Sequence, residues 1–335
     1  MKAQKSAALS QAETDTQAVE EFIRQNGTAE CLDLSGRNLS LLPESLGELT
    51  HLKELSLREN QLTSLPETIG KLSKLQKLNL YKNLLAELPA SFPQLKSLQW
   101  LILANCRLST LPENFGELTK VHTLDLGHNC LTSLPDSISE MAGLTRFLYV
   151  HDNRLSELPE SIGNLRSLAY LNIGQNQLTA LPESIGRMTG LIELRSDDNQ
   201  LTSLPDSIER LGKLRELHLA NNSLSALPES IGQLSMLREL QLEGNRLAAL
   251  PESVGELSSL TRLHLRNNRL QTLPASFSNL QKLVHLDLRG NQFVELPSCI
   301  ANLANLQKLD VRWNKLSTLP AWIQPMEERG CTVFV

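Results

Sequence analysis

Leu55-Ser-Leu-Arg-Glu-Asn-Gln-Leu62-Thr-Ser-Leu-Pro66-Glu-Thr-Ile-Gly-Lys-Leu72-Ser-Lys-Leu75 begins again in register at Leu78, 23 residues later, and the pattern recurs almost to the C-terminus. A spacing this regular is the signature of a solenoid, in which each unit buries its apolar face only against its neighbours. Size alone, at 335 residues, would suggest two or three globular domains, but stacking overrides that reading. The register position is Asn60, Asn83, Cys106, Asn129, Asn153, Asn176, Asn199, Asn222, Asn245, Asn268, Asn291 and Asn314. Every interval is 23 except the 24 from Asn129 to Asn153.

The middle of each unit, Leu-x-x-Leu-x-Leu-x-x-Asn-x-Leu, alternates apolar and polar residues as a half-buried strand does. Successive strands run the same way, which predicts a parallel sheet. The connecting Leu-Pro-Glu-Ser-Ile-Gly-x-Leu carries a Pro that cannot extend a ladder and a Gly suited to a tight turn. Short helical or irregular pieces are expected there. The Asn reads as structural, because a buried bend leaves backbone groups in need of partners and an amide supplies both donor and acceptor. Strands about 4.8 Å apart build a platform roughly 50 Å long, which is no enzymatic cleft.

Residues 1–12 form a polar leader expected to be disordered, and 13–41 an N-terminal capping helix with a first atypical repeat. That helix places Val19, Phe22 and Ile23 on one face and stops at Asn26-Gly27. The array occupies 42–318, and 319–335 form a C-terminal cap whose last residues suit an edge strand. The chain shows no apolar signal core and no run of membrane-spanning length, so a cytoplasmic protein with no membrane partner is expected. The Ser/Ala/Gln-rich leader alternatively suits a bacterial type III-type export signal, placing the protein in a host cell. A net charge of −5 with both signs interspersed argues against a nucleic-acid partner. The five scattered cysteines, Cys31, Cys106, Cys130, Cys299 and Cys331, suit a reducing compartment. A monomer is expected.

The Leu-Pro-x-x-Ile-Gly-x-Leu segments at Leu158 to Leu165, Leu181 to Met188 and Leu227 to Leu234 resemble those of leucine-rich repeat proteins of the 23-residue variety. Such repeats occur in plant intracellular Ras-group proteins, Ras-pathway scaffolds and bacterial cytoplasmic or effector proteins. The resemblance, covering about 42 to 320, implies an α/β fold. In it a curved horseshoe solenoid carries a parallel β-sheet on its concave face and short helical or irregular segments on its convex face. It also implies a non-catalytic interaction module or scaffold, in intracellular signalling, that takes a protein partner on the concave sheet. A Ras-pathway role would be fold-level analogy alone.

The variable strand positions point away from the core, so their identities are the best clue to binding. Tyr81, Tyr149 and Tyr170 all fall there, with Trp100, Phe147 and Ile102. Tyr and Trp are enriched in interface hot spots. Glu193, Asp197, Asp198, Glu216, Glu239 and Glu243 follow as an acidic stretch. Arg262, His264, Arg266, His285, Arg289, Lys308 and Arg312 then make a basic one ending at Trp313. Such a gradient would orient a charged partner; the alternative is a solvated face of cross-strand salt bridges, each worth little. Arg262, Arg266, Arg289 and Arg312 also suit a phosphate or phosphopeptide. Ser196, in a slot that elsewhere holds Leu, Ile or Val, and the 24-residue unit around Arg146 to Val150 are the two irregularities. His128, Cys130, His151 and Asp152 are metal-ligand types without the paired spacing of a zinc motif. His264, His285 and Asp287 lack an accompanying nucleophile, pocket or phosphate loop. No enzymatic activity, cofactor or metal is therefore expected.

Overall fold

The computed structural model describes residues 17–25 and 27–335; the leader at 1–12 and the first residues of the capping helix lie outside the described residues. Two compact units emerge, one running to Leu155 and one from Ser156. In the first, β1 (Cys31–Asp33), β2 (Glu54–Ser56), β3 (Lys77–Asn79), β4 (Trp100–Ile102), β5 (Thr123–Asp125) and β6 (Phe147–Tyr149) pair in chain order. In the second, β7 (Tyr170–Asn172), β8 (Glu193–Arg195), β9 (Glu216–His218), β10 (Glu239–Gln241), β11 (Arg262–His264), β12 (His285–Asp287), β13 (Lys308–Asp310) and β14 (Thr332–Phe334) do the same. All these pairings are parallel and in register, so Leu55 faces Leu78 and Leu194 faces Leu217. The repeat period sets that register, since a one-residue slip would turn every leucine to solvent.

The strands are short because the chain leaves each one through a residue in the left-handed region, immediately before the register position. Glu59 (φ 55°), Lys82 (58°), His128 (54°), Asp152 (51°), Asp198 (53°) and Trp313 (60°) are among them. For a non-glycine residue this conformation costs about 1–2 kcal/mol. The side chain that follows offsets the cost. Asn60 donates through Nδ2 to the carbonyls of Leu34 and Leu57 (2.9 Å each), and its Oδ1 accepts from the amides of Arg37 and Leu39 (3.0 Å each). Asn222 repeats this on Ser196, Leu219 and Leu201 at 2.9–3.1 Å. Each Asn thus bonds its own coil and the coil before it, leaving the buried bend with its backbone groups paired. Cys106 is the exception. Its thiol reaches the Leu80 carbonyl at 3.4 Å, and burial pushes its pKa up to about 11.

Opposite the strands run 3-10 turns such as Glu67–Lys71, entered through Pro66 at φ −67°, with Ile69 buried beneath. The glycine of these turns has a different role from the expected tight turn. A Cβ at Gly186 would lie 2.3 Å from the carbonyl oxygen of Ser207, so the residue is glycine because the next coil presses on it. The two irregularities also resolve. The additional residue of the 24-residue unit is absorbed before β6, where Arg146 and Phe147 both donate to the His122 carbonyl, and β6 keeps its register on β5. Ser196 is fully buried with its hydroxyl unpaired, which removes it from any contact surface.

At one end α1 (residues 17–25) buries Val19 and Ile23, and the guanidinium of Arg37 sits 4.6 Å from the Phe22 ring. At the other, α2 (Ile323–Glu328) buries Ile323 and Met326, and β14 adds Val333 opposite Leu309.

Gly186→Ala is expected to destabilise the protein by about 1–3 kcal/mol, because its overlap is with backbone. Gly212→Ala, with nothing within 4 Å of the added carbon, should leave the urea midpoint unchanged or slightly raised. Equal shifts for the two would contradict the close-approach account. Cys106→Asn restores the missing amide partners and is expected to stabilise by about 1 kcal/mol in the same assay.

Candidate functional site

Residues flanking the central leucine of each strand point away from the core, and so do the residue two places after the strand and the left-handed one that follows. In the first unit Trp100, Thr123 and Phe147 share one row across β4, β5 and β6, and Ile102, Asp125 and Tyr149 share the next. Phe147 stacks on Tyr149 (centroids 5.8 Å, planes 9° apart). Tyr149 meets the edge of His151 at 6.2 Å, and His151 meets His128 at 4.7 Å. Four rings therefore form one continuous run. Phe147 is 39% exposed and Tyr81, beyond β3, 36%. Trp100 and Ile102 stand half-buried on β4, with the buried Thr123 separating Trp100 from Phe147. His128 and His151, metal-ligand types in the sequence, thus extend the aromatic surface. Their placement depends on the left-handed turn at His128, which no motif announces.

Tyr170 opens the second unit, half-buried on β7 opposite Glu193. Beyond it several of the charges are paired, within a coil or between neighbouring coils. Arg195 donates to Glu193 at 2.6 Å, and Arg262 to Glu239 at 2.7 Å. Arg289 pairs with Asp287 (2.5 Å) and lies 3.5 Å from Asp310, which also takes Arg312 at 2.7 Å. Asp287 and Asp310 stand two residues before Arg289 and Arg312 in the chain. They neutralise much of the proposed phosphate cluster. Arg266 makes no ion pair among the described residues, and its Nε is buried without a partner. Its guanidinium instead stands 5.4 Å from the Trp313 ring centroid, with Arg289 at 5.8 Å and Arg312 at 5.6 Å. Trp313 itself is 63% exposed. Three guanidiniums around one accessible indole is the densest cation–π group on this face, each contact worth about 0.5–1 kcal/mol where exposed.

The charges are tuned by these neighbours. Burial alone would raise the Asp310 carboxyl, but hydrogen bonds from Arg312 and the charge of Arg289 outweigh it and hold it low. His285 is lowered, first by burial and then by Arg262 and Lys308. Glu193, Glu216 and the buried His218 bring their ligand atoms within 4.8 Å of one another, with His218 Nε2 at 3.3 Å from Glu216. All five cysteines are free thiols. No helix among the described residues is long and apolar enough to cross a membrane.

A family model described as a leucine-rich repeat region matches residues 29–146, 144–229 and 206–287, and a second leucine-rich repeat model matches 282–303 and 305–326. The chain belongs to the leucine-rich repeat family. Among solved structures, this leucine-rich repeat chain is similar to a leucine-rich repeat protein of Leptospira interrogans. That likeness has 35% identity and a TM-score of 0.81, covering 89% of this chain and 76% of that one. It is also similar to a plant peptide hormone receptor solved in complex with RGF2, at 29% identity and TM-score 0.75, covering 89% and 54% of the two chains. An internalin of Listeria monocytogenes shares the fold at 23% identity and TM-score 0.78, covering 96% and 93%. No curated protein matches the sequence. Leucine-rich repeats generally mediate protein–protein interaction.

Because the folded pKa of His285 lies below its unfolded value, the unfolded chain takes up more protons as pH falls through about 6.5. Stability should therefore decline between about pH 7 and 5, and His285→Asn should flatten that decline in thermal scans. A slope unchanged by the substitution would contradict the assignment.

Proposed function

We propose that this leucine-rich repeat protein is a non-catalytic interaction module that takes a protein partner on the solvent-facing side of its sheet. The observation that carries the reading is the continuous Phe147–Tyr149–His151–His128 run, stacked at its first contact and edge-on at the next two, with Trp100, Ile102 and Tyr81 on the neighbouring strands. Exposed rings held rigid by one another lose little freedom on binding, which is what a hot spot needs. In the second unit Trp313 with Arg266, Arg289 and Arg312, flanked by Arg262, forms another anchor, and Tyr170 stands apart from it on β7. The salt-bridged arginines favour a partner that presents carboxylates in small number over one that needs a strongly cationic surface. Free thiols throughout support work in a reducing compartment, in the manner of an intracellular scaffold in signalling. The plant receptor, whose complex contains RGF2, supports the idea that a repeat sheet of this kind accommodates a polypeptide.

The second reading is an exported bacterial effector: the 35% identity to the Leptospira protein supports a bacterial source, and the polar Ser/Ala/Gln-rich leader supports export. Deleting residues 1–12 would abolish secretion under that reading and leave the thermal transition unchanged.

The test of the first reading is affinity capture with the full chain and the Phe147→Ala/Tyr149→Ala and Trp313→Ala variants, followed by titration of each captured partner. Partners should bind the parent and lose at least about tenfold in affinity with one of the variants, at unchanged thermal midpoint. Partners that bind every variant equally would remove the sheet face from the account.

A further inference from the structure

The aromatic run ends in a pair of histidines whose geometry exceeds what packing requires. His128 Nε2 and His151 Nε2 face each other across β5 and β6 at 3.3 Å. Two ligands on a tetrahedral metal with metal–nitrogen distances of about 2.0–2.1 Å lie roughly 3.3–3.4 Å apart. The two nitrogens thus already stand at the separation that one ion would impose.

Each ring is held in that position by a separate device. Asp152 Oδ2 accepts from His128 Nδ1 at 2.5 Å. That bond places the proton of neutral His128 on Nδ1 and leaves its Nε2 lone pair directed at His151. A carboxylate on the far nitrogen is how metal-binding imidazoles are oriented and made more basic. His151 lies over Gly127: a Cβ at that glycine would meet its Cε1 at 2.4 Å and its Nε2 at 3.0 Å. The two preceding units carry Tyr81 and Ala104 at the corresponding position, whereas Gly127 leaves the backbone bare enough for the ring to settle. His128 and Asp152 both occupy left-handed positions, at φ 54° and 51°, which project their side chains from the same edge of the sheet. Asp125 lies in the adjoining row and adds negative charge next to both imidazoles. Burial raises its carboxyl above the usual carboxylate range, and the Gly127 amide, His151 and His128 offset only part of that.

We propose that His128 and His151 chelate a divalent transition metal of the imidazole-binding class, such as Zn2+, with Asp152 orienting His128 from the far side. Binding requires His151 to carry its proton on Nδ1 instead of Nε2, which turns both Nε2 lone pairs to the ion with no net loss of a proton, and the coordination positions facing solvent stay open. Imidazole donors of this kind favour Cu2+, Ni2+ and Zn2+ over Ca2+ and Mg2+. Because the pair lies within the ring surface assigned above to a protein partner, an ion there would be placed to join that contact. The metal site does not depend on that reading, and its test needs no partner.

The test is titration of the metal-free full chain with Zn2+ by calorimetry at neutral pH, with imidazole nitrogen NMR and Cu2+ electron paramagnetic resonance as direct readouts. The parent should bind one ion, shift the Nε2 resonances of His128 and His151, and show two coordinating nitrogens with Cu2+. His128→Ala and His151→Ala should each weaken this binding at least about tenfold, and Asp152→Asn about 10–100-fold. Gly127→Ala should also weaken it by displacing the His151 ring. The metal-free variants should keep the parental thermal midpoint, apart from Gly127→Ala, for which the NMR readout decides. The rival position is the Glu193, Glu216 and His218 group, where Glu193 is already engaged by Arg195 at 2.6 Å. His218→Ala should leave the affinity unchanged. Loss of binding in His218→Ala but not in His128→Ala or His151→Ala would overturn the proposal, as would the absence of saturable binding in the parent.

Discussion

A single side-chain amide, repeated at eleven of the twelve register positions, holds this molecule together. It bonds the carbonyls of two successive coils through one nitrogen, and its oxygen collects amides from the coil before. Without it, each left-handed exit from a strand would bury unpaired backbone groups, and such groups cost about 1–3 kcal/mol apiece. The leucines supply most of the favourable free energy, about 1.5–3 kcal/mol each on burial. Yet they would pack in many registers, and the amide selects one. The three-residue strands, the parallel register and the close packing of the outer turns follow from that selection.

Because the interior is the same in every coil, the two strand positions beside the leucine and the two that follow are free to vary. That freedom explains why all three tyrosines, the exposed phenylalanine Phe147 and the exposed Trp313 gather on the solvent-facing side of the sheet. It also explains why charges there pair within and across strands, as Asp310 does with Arg312 two residues on and with Arg289 of the coil before. A period of 23 residues brings residues far apart in sequence into adjacent rows. Rows of rings and alternating ion pairs can therefore be assembled without disturbing the core.

The fold was legible because its signal is redundant: Leu55, Leu57, Asn60 and Leu62 recur at one spacing, and single departures such as Cys106 and Ser196 leave it readable. The role of the Asn followed from the same chemistry. The glycine of the outer turn was misread as a bend, since its constraint comes from Ser207 in the next coil and leaves no local mark at Gly186. The face was legible only in part. Phe147 and Tyr149 were visible as outward positions, but the continuation through His151 and His128 was not. It depends on the bare backbone at Gly127 and on a left-handed turn carried by an ordinary residue. The basic stretch looks free in the sequence because nothing local shows that the side chains of Asp287 and Asp310 turn back onto the arginines two residues on.

Site-resolved amide hydrogen exchange addresses the central role of the amide most directly. The backbone N–H groups of Leu62 and Leu108 donate to Asn83 and Asn129 Oδ1 at 3.1 and 3.0 Å, whereas Leu85 in the intervening coil has only the Cys106 sulfur. Leu85 should exchange at least about tenfold faster than Leu62 and Leu108 on either side of it. Equal protection at all three positions would mean that the coils are held by leucine packing alone, and that the amide is incidental.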